Sequence, residues 1–296
     1  MMDYLDKLIR LAQVRGEINI RCEFQGEWQL AHNEQSNNKG IFHLIEEGEC
    51  WLTLGDKAFH LTRGDIFFLP QNRPHLVGNL PENGKNILPD KQRQGIFEVQ
   101  KIGRGTPDLK MFCGVFYYQE NTLLMTSLPD YLHLNLCDTS IQLLVQLFLQ
   151  EAKKQESGNQ SVIDSLANVL FIYILRHAMR LGMIGHGVLY ALQDKRLNPA
   201  LIRLLQAPAK NWHIEQLAEL ATMSRANFIR VFQQQVRMSP GKFLTKVRLD
   251  LAAFLLKHSQ KSVLVIALEV GYQSEDHFSK AFKNAYQISP SLYRKV

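Results

Sequence analysis

The sequence predicts an α+β protein in which residues 1–185 form an antiparallel β barrel with a helical segment after it, and residues 194–296 form an all-α domain with two tandem helix-turn-helix units. Three observations carry this. The 296 residues exceed what one hydrophobic core usually organises, so two domains are expected. Short alternating or apolar runs separated by turn residues fill the region from Trp28 to about Tyr118. The tail, finally, repeats itself at an offset of 50 positions.

A chain with 46% hydrophobic and 21% charged residues has the composition of a folded globular protein. Its start, Met1-Met2-Asp3-Tyr4-Leu5-Asp6, is acidic and lacks the apolar stretch and small-residue site of a secretory signal. The nearest approach to a membrane helix, Val162 to Leu175, is interrupted by Asp164, Ser165 and Asn168. A cytoplasmic protein without a membrane partner is expected. Cys22, Cys50, Cys113 and Cys137 lie far apart without zinc-site spacing, so free thiols are expected. The net charge of +6 is unevenly spread: from Arg196 onward fifteen basic residues face six acidic ones, giving +9 there and about −3 elsewhere. A tail of that charge suits a polyanionic partner.

In the first domain the strand candidates are Ile41–Ile45, Cys50–Leu54, Ala58–Leu61 and Ile66–Pro70. Gly48, Gly55-Asp56 and Gly64-Asp65 supply turns between them. Residues Pro81 to Gly95, rich in Pro, Gly, Asn, Lys and Gln, read as a mobile loop. Two helical stretches follow, Ile141 to Ala152 and Val162 to Met179. Their stripes (Leu143, Leu144, Leu147, Phe148 and Leu166, Val169, Leu170, Tyr173, Ile174) pack on each other or on a second subunit. Gly182, Gly185, Gly187 and the run Gln193-Asp194-Lys195 mark a flexible junction.

In the tail, the 50-residue offset sets Glu219 on Glu269, Ser224 on Ser274, Phe228 on Phe278, Phe232 on Phe282 and Ser239-Pro240 on Ser289-Pro290. Each copy reads as an apolar helix, a tight turn and a second helix. Ser224 and Ser274 have the chemistry of N-caps, and Gly271 suits a left-handed turn. Ser239 and Pro240 start a connecting helix through Phe243, Val247, Leu251, Leu255 and Leu256. Such a unit places its second helix in the major groove. Ser239-Pro240-Gly241-Lys242 also fits the SxxK pattern of serine hydrolases, but no partner motif accompanies it.

From about Pro199 to Lys295 the chain resembles the AraC/XylS transcription regulators, on Ser224 to Phe232, Ala267 to Tyr272, Phe278 to Lys283 and Ser289 to Arg294. The resemblance implies a sequence-specific regulator that binds double-stranded promoter DNA, acts as an activator, contacts RNA polymerase and forms a homodimer. Family positions for base contact fall on Ala226, Ile229 and Arg230 in the first unit, and Arg225 beside them reads as a phosphate clamp or as simply solvated charge. Arg230 can pair with a guanine edge, while Ala226 and Ile229 offer apolar contact. In the second unit they fall on Glu275, Asp276, His277 and Lys280. The two carboxylates either accept from a cytosine amino group or stabilise the helix N-terminus.

Gly64-Asp65, Pro70 and Pro74-His75 resemble the second motif of the cupin barrel, which many AraC-type regulators carry as a sensor. Some cupins bind metal, which makes His32, Glu34, His43, His60 and His75 worth testing. The first cupin motif is absent, and neither a metal nor another cofactor is assigned. A cupin metalloenzyme with an accessory helical domain is the alternative to the regulator, which is not expected to be an enzyme. For sensing, Cys22 follows Arg21, a cation that favours thiolate, and Cys113 precedes Gly114, whose missing side chain leaves room at the sulfur. Cys50 and Cys137 are expected in packed surroundings. The segments around Cys22, Trp28, Leu69-Pro70-Gln71-Asn72, Cys113-Gly114 and Thr126-Ser127-Leu128-Pro129 resemble the AraC-type regulators that respond to reactive chlorine. A small-molecule effector held among Trp51, Phe59, Phe67 and Phe68 is the other reading, and the residues alone leave oxidant and ligand open.

Overall fold

The computed structural model describes residues 3–34, 36, 38–81, 85–135, 139–153 and 156–295. Cys137 lies outside them. The chain divides into two compact units, one of Val14–Tyr118 with Pro129–Met183, the other of Met1–Gln13, Gln119–Leu128 and Ile184–Val296. The sequence suggests a single boundary between residues 185 and 194, whereas two N-terminal segments here cluster with the tail. The first of them carries α1 (Tyr4–Ala12), an amphipathic helix that buries Leu5, Leu8, Leu11 and Ala12.

The first unit holds β1 (Arg15–Phe24), β2 (Gln29–His32), β3 (Lys39–Glu47), β4 (Glu49–Leu54), β5 (Lys57–Thr62) and β6 (Asp65–Leu69). It continues through β7 (His75–Gly78), β8 (Asp90–Gln94), β9 (Phe97–Ile102), β10 (Leu109–Tyr117) and β11 (Leu132–Asn135). One sheet runs β11-β6-β3-β10-β1-β9-β8 and the other β2-β7-β4-β5. Pairing is antiparallel apart from β1 with β9. Between the sheets, Cys22, Phe24, Ile45, Phe67, Met111 and Cys113 meet Trp28, Cys50, Leu52, Leu61 and Val77 in one apolar core. An irregularity between Ile18 and Ile20 resets the alternation of β1, so that Ile20, Cys22 and Phe24 face inward and Arg21 faces outward.

Two helices, α2 (Thr139–Lys153) and α3 (Asn159–Arg180), cover the outer face of the larger sheet. Phe148 lies 4.5 Å from Phe112 and Phe171 lies 4.9 Å from Phe116, ring centre to ring centre. Gly16 allows the close approach of α3, since a Cβ there would lie 2.7 Å from the Cβ of Ala167. By length and composition α3 could cross a membrane, yet Ile163, Ala167, Leu170, Phe171 and Ile174 are buried inside this unit. Of the expected stripes, Phe148, Leu170 and Ile174 are buried, whereas Leu143, Leu147 and Val169 are exposed. The expected loop of residues 81–95 contains β8, whose side chains are all exposed. Its backbone pairs with β9 at the sheet edge, so polar composition there conceals a strand held by main-chain hydrogen bonds. Residues 82–84 of that segment lie outside the described residues.

The second unit adds α4 (Gly187–Ala191), α5 (Asn198–Gln206), α6 (Ile214–Leu220) and α7 (Arg225–Val236). After them come α8 (Pro240–His258), α9 (Val263–Glu269), α10 (Glu275–Tyr286) and α11 (Pro290–Tyr293). Ser224, Ser239, Ser262, Ser274 and Ser289 each accept a hydrogen bond from the third backbone amide of the helix they open. Such a cap stabilises a helix by about 1 kcal/mol. Gly271 adopts φ +99°, and a Cβ there would lie 2.7 Å from the Cα of Ala209. Gly187 is a fixed point rather than a loose link. Its missing Cβ would meet Ser127 Oγ at 2.4 Å, and that hydroxyl accepts from Val188 N at 2.9 Å. Asp250 is buried on α8, accepting from Lys246 Nζ at 2.6 Å, Tyr286 OH at 3.0 Å and Leu123 N at 3.2 Å.

Candidate functional site

The helices α6–α7 and α9–α10 form the two helix-turn-helix units. In α7 the residues Phe228, Val231, Phe232 and Val236 are buried, which turns Arg225, Ala226 and Arg230 to the surface with Ile229 half-buried beside them. In α10, burial of Phe278 and Phe282 leaves Glu275, Asp276, His277 and Lys280 exposed. The 3.6-residue period alone produces this division. Arg230 Nη2 donates to Asn227 Oδ1 at 2.9 Å, and Arg225 Nε lies 2.9 Å from Glu215 Oε1. Exposed pairs of this kind are worth about 0–1 kcal/mol, so both guanidiniums can exchange partners cheaply. Glu275 and Asp276 occupy the first turn of α10, where the helix dipole favours negative charge.

Between the sheets of the first unit, strand register gathers a second set of polar groups. Cys113 of β10 pairs with His43 of β3, and His32 of β2 pairs with His75 of β7. His43 Nδ1 lies 3.1 Å from Cys113 Sγ and His43 Nε2 lies 2.9 Å from His75 Nε2. The His32 and His75 rings stack with centres 4.6 Å apart. Cys113 Sγ is also 4.0 Å from Cys22 Sγ. Because His75 Nδ1 faces the Arg73 carbonyl at 2.8 Å, an acceptor only, that nitrogen carries the proton and Nε2 carries the lone pair. Burial pushes the pKa of all three imidazoles down, that of His75 to about 4, so they are neutral near pH 7.

The structure revises the reasons for singling out the thiols. Gly114 leaves no space at Cys113: its missing Cβ would fall 2.4 Å from Phe42 Cζ, and Cys113 is only 4% exposed. Arg21 lies on the opposite face of β1 from Cys22 and pairs with Glu46 at 3.1 Å. The Cys22 thiol is pushed well up, first by its hydrogen bond with Cys113 and then by burial. What reaches both sulfurs is a cavity of about 480 Å³, bordered by Cys22, Cys113, Leu30, His32 and Met111.

Trp51, Phe59, Phe67 and Phe68, expected around a ligand, do not border that cavity. Phe67 packs on Tyr131, Phe68 on Phe116 and Trp51 on His60. Of the five groups worth testing for metal, His32, His43 and His75 come together. His60 pairs with Glu49 at 3.2 Å and Glu34 with Lys39 at 2.6 Å. Cys50 is buried in the same core, as expected.

Comparison with known proteins gives a consistent picture. Residues 3–180 match the cupin family and residues 217–296 match the helix-turn-helix domain family. An uncharacterized HTH-type transcriptional regulator of Haemophilus influenzae is 69% identical over 294 residues, covering 99% of each chain. The HTH-type transcriptional regulator MtrA of Neisseria gonorrhoeae is 37% identical over 298 residues, 99% of this chain and 98% of that one. The RCS-specific HTH-type transcriptional activator RclR of Escherichia coli is 27% identical over 301 residues, again 99% of this chain and 98% of that one.

Proposed function

The chain belongs to the AraC-like HTH-type transcriptional regulators that join a cupin domain to a helix-turn-helix domain, and from that premise we propose that it is a cytoplasmic activator that binds promoter DNA through α7 and α10. The observation that carries this is the division of both helices into a buried aromatic face and a polar face, with Arg225, Ala226, Ile229 and Arg230 on one and Glu275, Asp276, His277 and Lys280 on the other. Membership of a regulator family favours this reading over an enzyme. The exposed Leu143 and Leu147, one turn apart on α2, support a homodimer, since neighbouring apolar side chains in solvent mark interaction surfaces. RNA polymerase is the further partner of an activator.

The effector belongs to the first unit. A resemblance to a relative named as RCS-specific, together with two thiols 4.0 Å apart beside a cavity, supports oxidation of Cys22 and Cys113 as the signal. With hypochlorous acid two S–H bonds break and one S–S bond forms, while the oxidant is reduced to chloride and water with release of one proton. The two strands concerned lead directly toward the DNA-binding unit along the chain. β1 follows α1 and β10 precedes Gln119–Leu128, and both segments belong to that unit. An apolar small molecule in the 480 Å³ cavity is the second reading, favoured by the apolar Leu30, Met111 and Ile41 on its wall.

One titration tests the proposal. Full-length protein, reduced or treated with hypochlorite, is footprinted on fragments from upstream of neighbouring genes. A specific footprint that changes on oxidation in wild type, and no longer does in Cys22→Ser or Cys113→Ser, is the expected result. A specific footprint indifferent to oxidant retains the regulator and moves the effector to the cavity ligand, whereas no specific binding in either state overturns the reading.

A further inference from the structure

We propose that Cys113 is the sulfur that attacks the oxidant, that His43 takes its proton as the catalytic base, and that Cys22 is the thiol that closes the disulfide. The assignment rests on the first unit being a thiol sensor and gives each group its part. The Arg73 carbonyl can only accept, and with the imidazoles neutral this fixes every proton along the line. His75 Nδ1 donates to that carbonyl at 2.8 Å, so His75 Nε2 accepts from His43 Nε2 at 2.9 Å. His43 Nδ1 is then left to accept from the Cys113 thiol at 3.1 Å. Cys113 thus stands at the donor end of a hydrogen-bonded chain that runs through two imidazoles to a backbone oxygen.

The two sulfurs are not equivalent. The partner of Cys22 Sγ is Cys113 Sγ at 4.0 Å, and that bond, with burial, holds the Cys22 proton in place. Cys113 has a nitrogen base within reach. A thiol attacks as its thiolate, so a buried one needs such a base to receive its proton. Both sulfurs border the 480 Å³ cavity, which admits a small uncharged oxidant such as hypochlorous acid.

In the first step Cys113 Sγ attacks chlorine. The S–Cl bond forms as the Cl–O bond breaks, the S–H proton passes to His43 Nδ1, and the His43 Nε2 proton passes to His75 Nε2. The charge rests briefly on His75, whose other proton is already held by a carbonyl oxygen. Burial disfavours that charge, so the proton is handed on to the departing hydroxide. The sum is one sulfenyl chloride and one water. Cys22 Sγ then attacks Cys113 Sγ: the S–S bond forms, chloride leaves, and the Cys22 proton goes to solvent through the cavity. His75 acts only through His43 and is a positioning residue.

The test reads the sulfurs of the full-length chain without DNA. Substoichiometric hypochlorite is added to Cys22→Ser and to Cys113→Ser with dimedone, which traps the sulfenic acid formed when the chloride hydrolyses, and mass spectrometry identifies the labelled peptide. Cys113 in the first variant should label about tenfold faster or more than Cys22 in the second. Equal or reversed rates would overturn the order. For the base, the yield at Cys113 in the Cys22→Ser background is measured against added free methionine, a competing sink that cancels the titration of the oxidant itself. His43→Asn keeps a polar group beside the sulfur but takes no proton, and should lower the relative yield by about a hundredfold near pH 6. The parent should hold its yield from about pH 6 to 8, since burial keeps His43, His75 and the neighbouring His32 neutral there, whereas the variant should gain with rising pH as free thiolate forms. His75→Gln should show a smaller loss with the same tilt, and His60→Ala, outside the cluster, neither. Folded His43→Asn with the yield and flat profile of the parent would overturn the base. The serine variants leave the imidazoles untouched, so their labelling order decides the assignment even where a histidine variant does not fold. A footprint indifferent to oxidant would remove the switch while leaving the roles of the sulfurs standing.

Discussion

The two units carry their chemistry on opposite sides of their cores. In the helical unit the aromatic residues Phe228, Phe232, Phe278 and Phe282 stabilise the fold, and most of the residues proposed to meet DNA are exposed on another face of the same helices. In the barrel the groups with reactive or ligating atoms, Cys22, Cys113, His43 and His75, are themselves buried. The outward face of the helical unit can therefore be altered without disturbing the fold beneath it, whereas the barrel core cannot change its contents without changing its packing. That difference suits a DNA-binding helical unit, which must meet its partner from outside, and it agrees with the proposal that the barrel takes up a signal in an interior where small shifts are transmitted by close packing.

The sharpest way to break this comparison is to strike an interior polar site within the helical unit. Lys246→Met removes the cation from buried Asp250 and should destabilise the protein by about 3–5 kcal/mol at neutral pH, the usual cost of stranding a buried charge. Burial already raises the Asp250 pKa in the folded state. The penalty should therefore be least at low pH, where Asp250 is protonated in both folded proteins, and grow as pH rises through its raised folded-state pKa, which loss of Lys246 raises further; the unfolded-state pKa is shared and cancels. Urea unfolding of both proteins across that range checks it; a penalty independent of pH would mean that Lys246 acts through packing alone. Next in size, Arg230→Ala should cost about 1–3 kcal/mol in binding at the cognate site and relax base preference there, with Tm unchanged. Equal losses on cognate and random DNA would remove Arg230 from base readout.

The same contrast governs what was legible in the sequence. The helical unit was readable because its determinants are local: the 50-residue offset, the caps Ser224, Ser239 and Ser274, and the left-handed Gly271 each act within one or two turns of chain. Asp250 escaped because its partners Leu123 and Tyr286 are remote in sequence and its own helix looks merely apolar. In the barrel the apolar strands β3 to β6 were legible, but the other strands and the sites were not. His32, His43 and His75 meet only through the register of β2 with β7 and the stacking of the two sheets, and no spacing along the chain encodes that. The irregularity between Ile18 and Ile20, which decides that Cys22 faces inward and Arg21 outward, leaves no mark in the residue pattern. Polar β8 was missed for the converse reason, since backbone pairing at an edge requires no apolar side chain.

Smaller effects test whether the two helix-turn-helix copies are equivalent. Ser224→Ala and Ser274→Ala remove matching caps, and each should cost about 1 kcal/mol of stability by thermal unfolding. A smaller loss for Ser274 would show Glu275 and Asp276 compensating in the first turn of α10, which would give those carboxylates a structural role rather than one in reading bases.

The smallest stability change is expected from Arg225→Ala, and it separates positioning from recognition on the outward face. Arg225 pairs with Glu215 in solvent, so losing the pair should barely move Tm. If its guanidinium turns to a phosphate when DNA binds, the variant should bind cognate and random duplexes more weakly by the same factor. The slope of log affinity against log salt should fall in magnitude by about 1, because one fewer counterion is released. A change in sequence preference instead would place Arg225 at a base edge, and the outward face of α7 would then read bases from its first residue. An unchanged salt slope with unchanged affinity would leave Arg225 as a partner of Glu215 alone, and confine the DNA contacts of this helix to Ala226, Ile229 and Arg230.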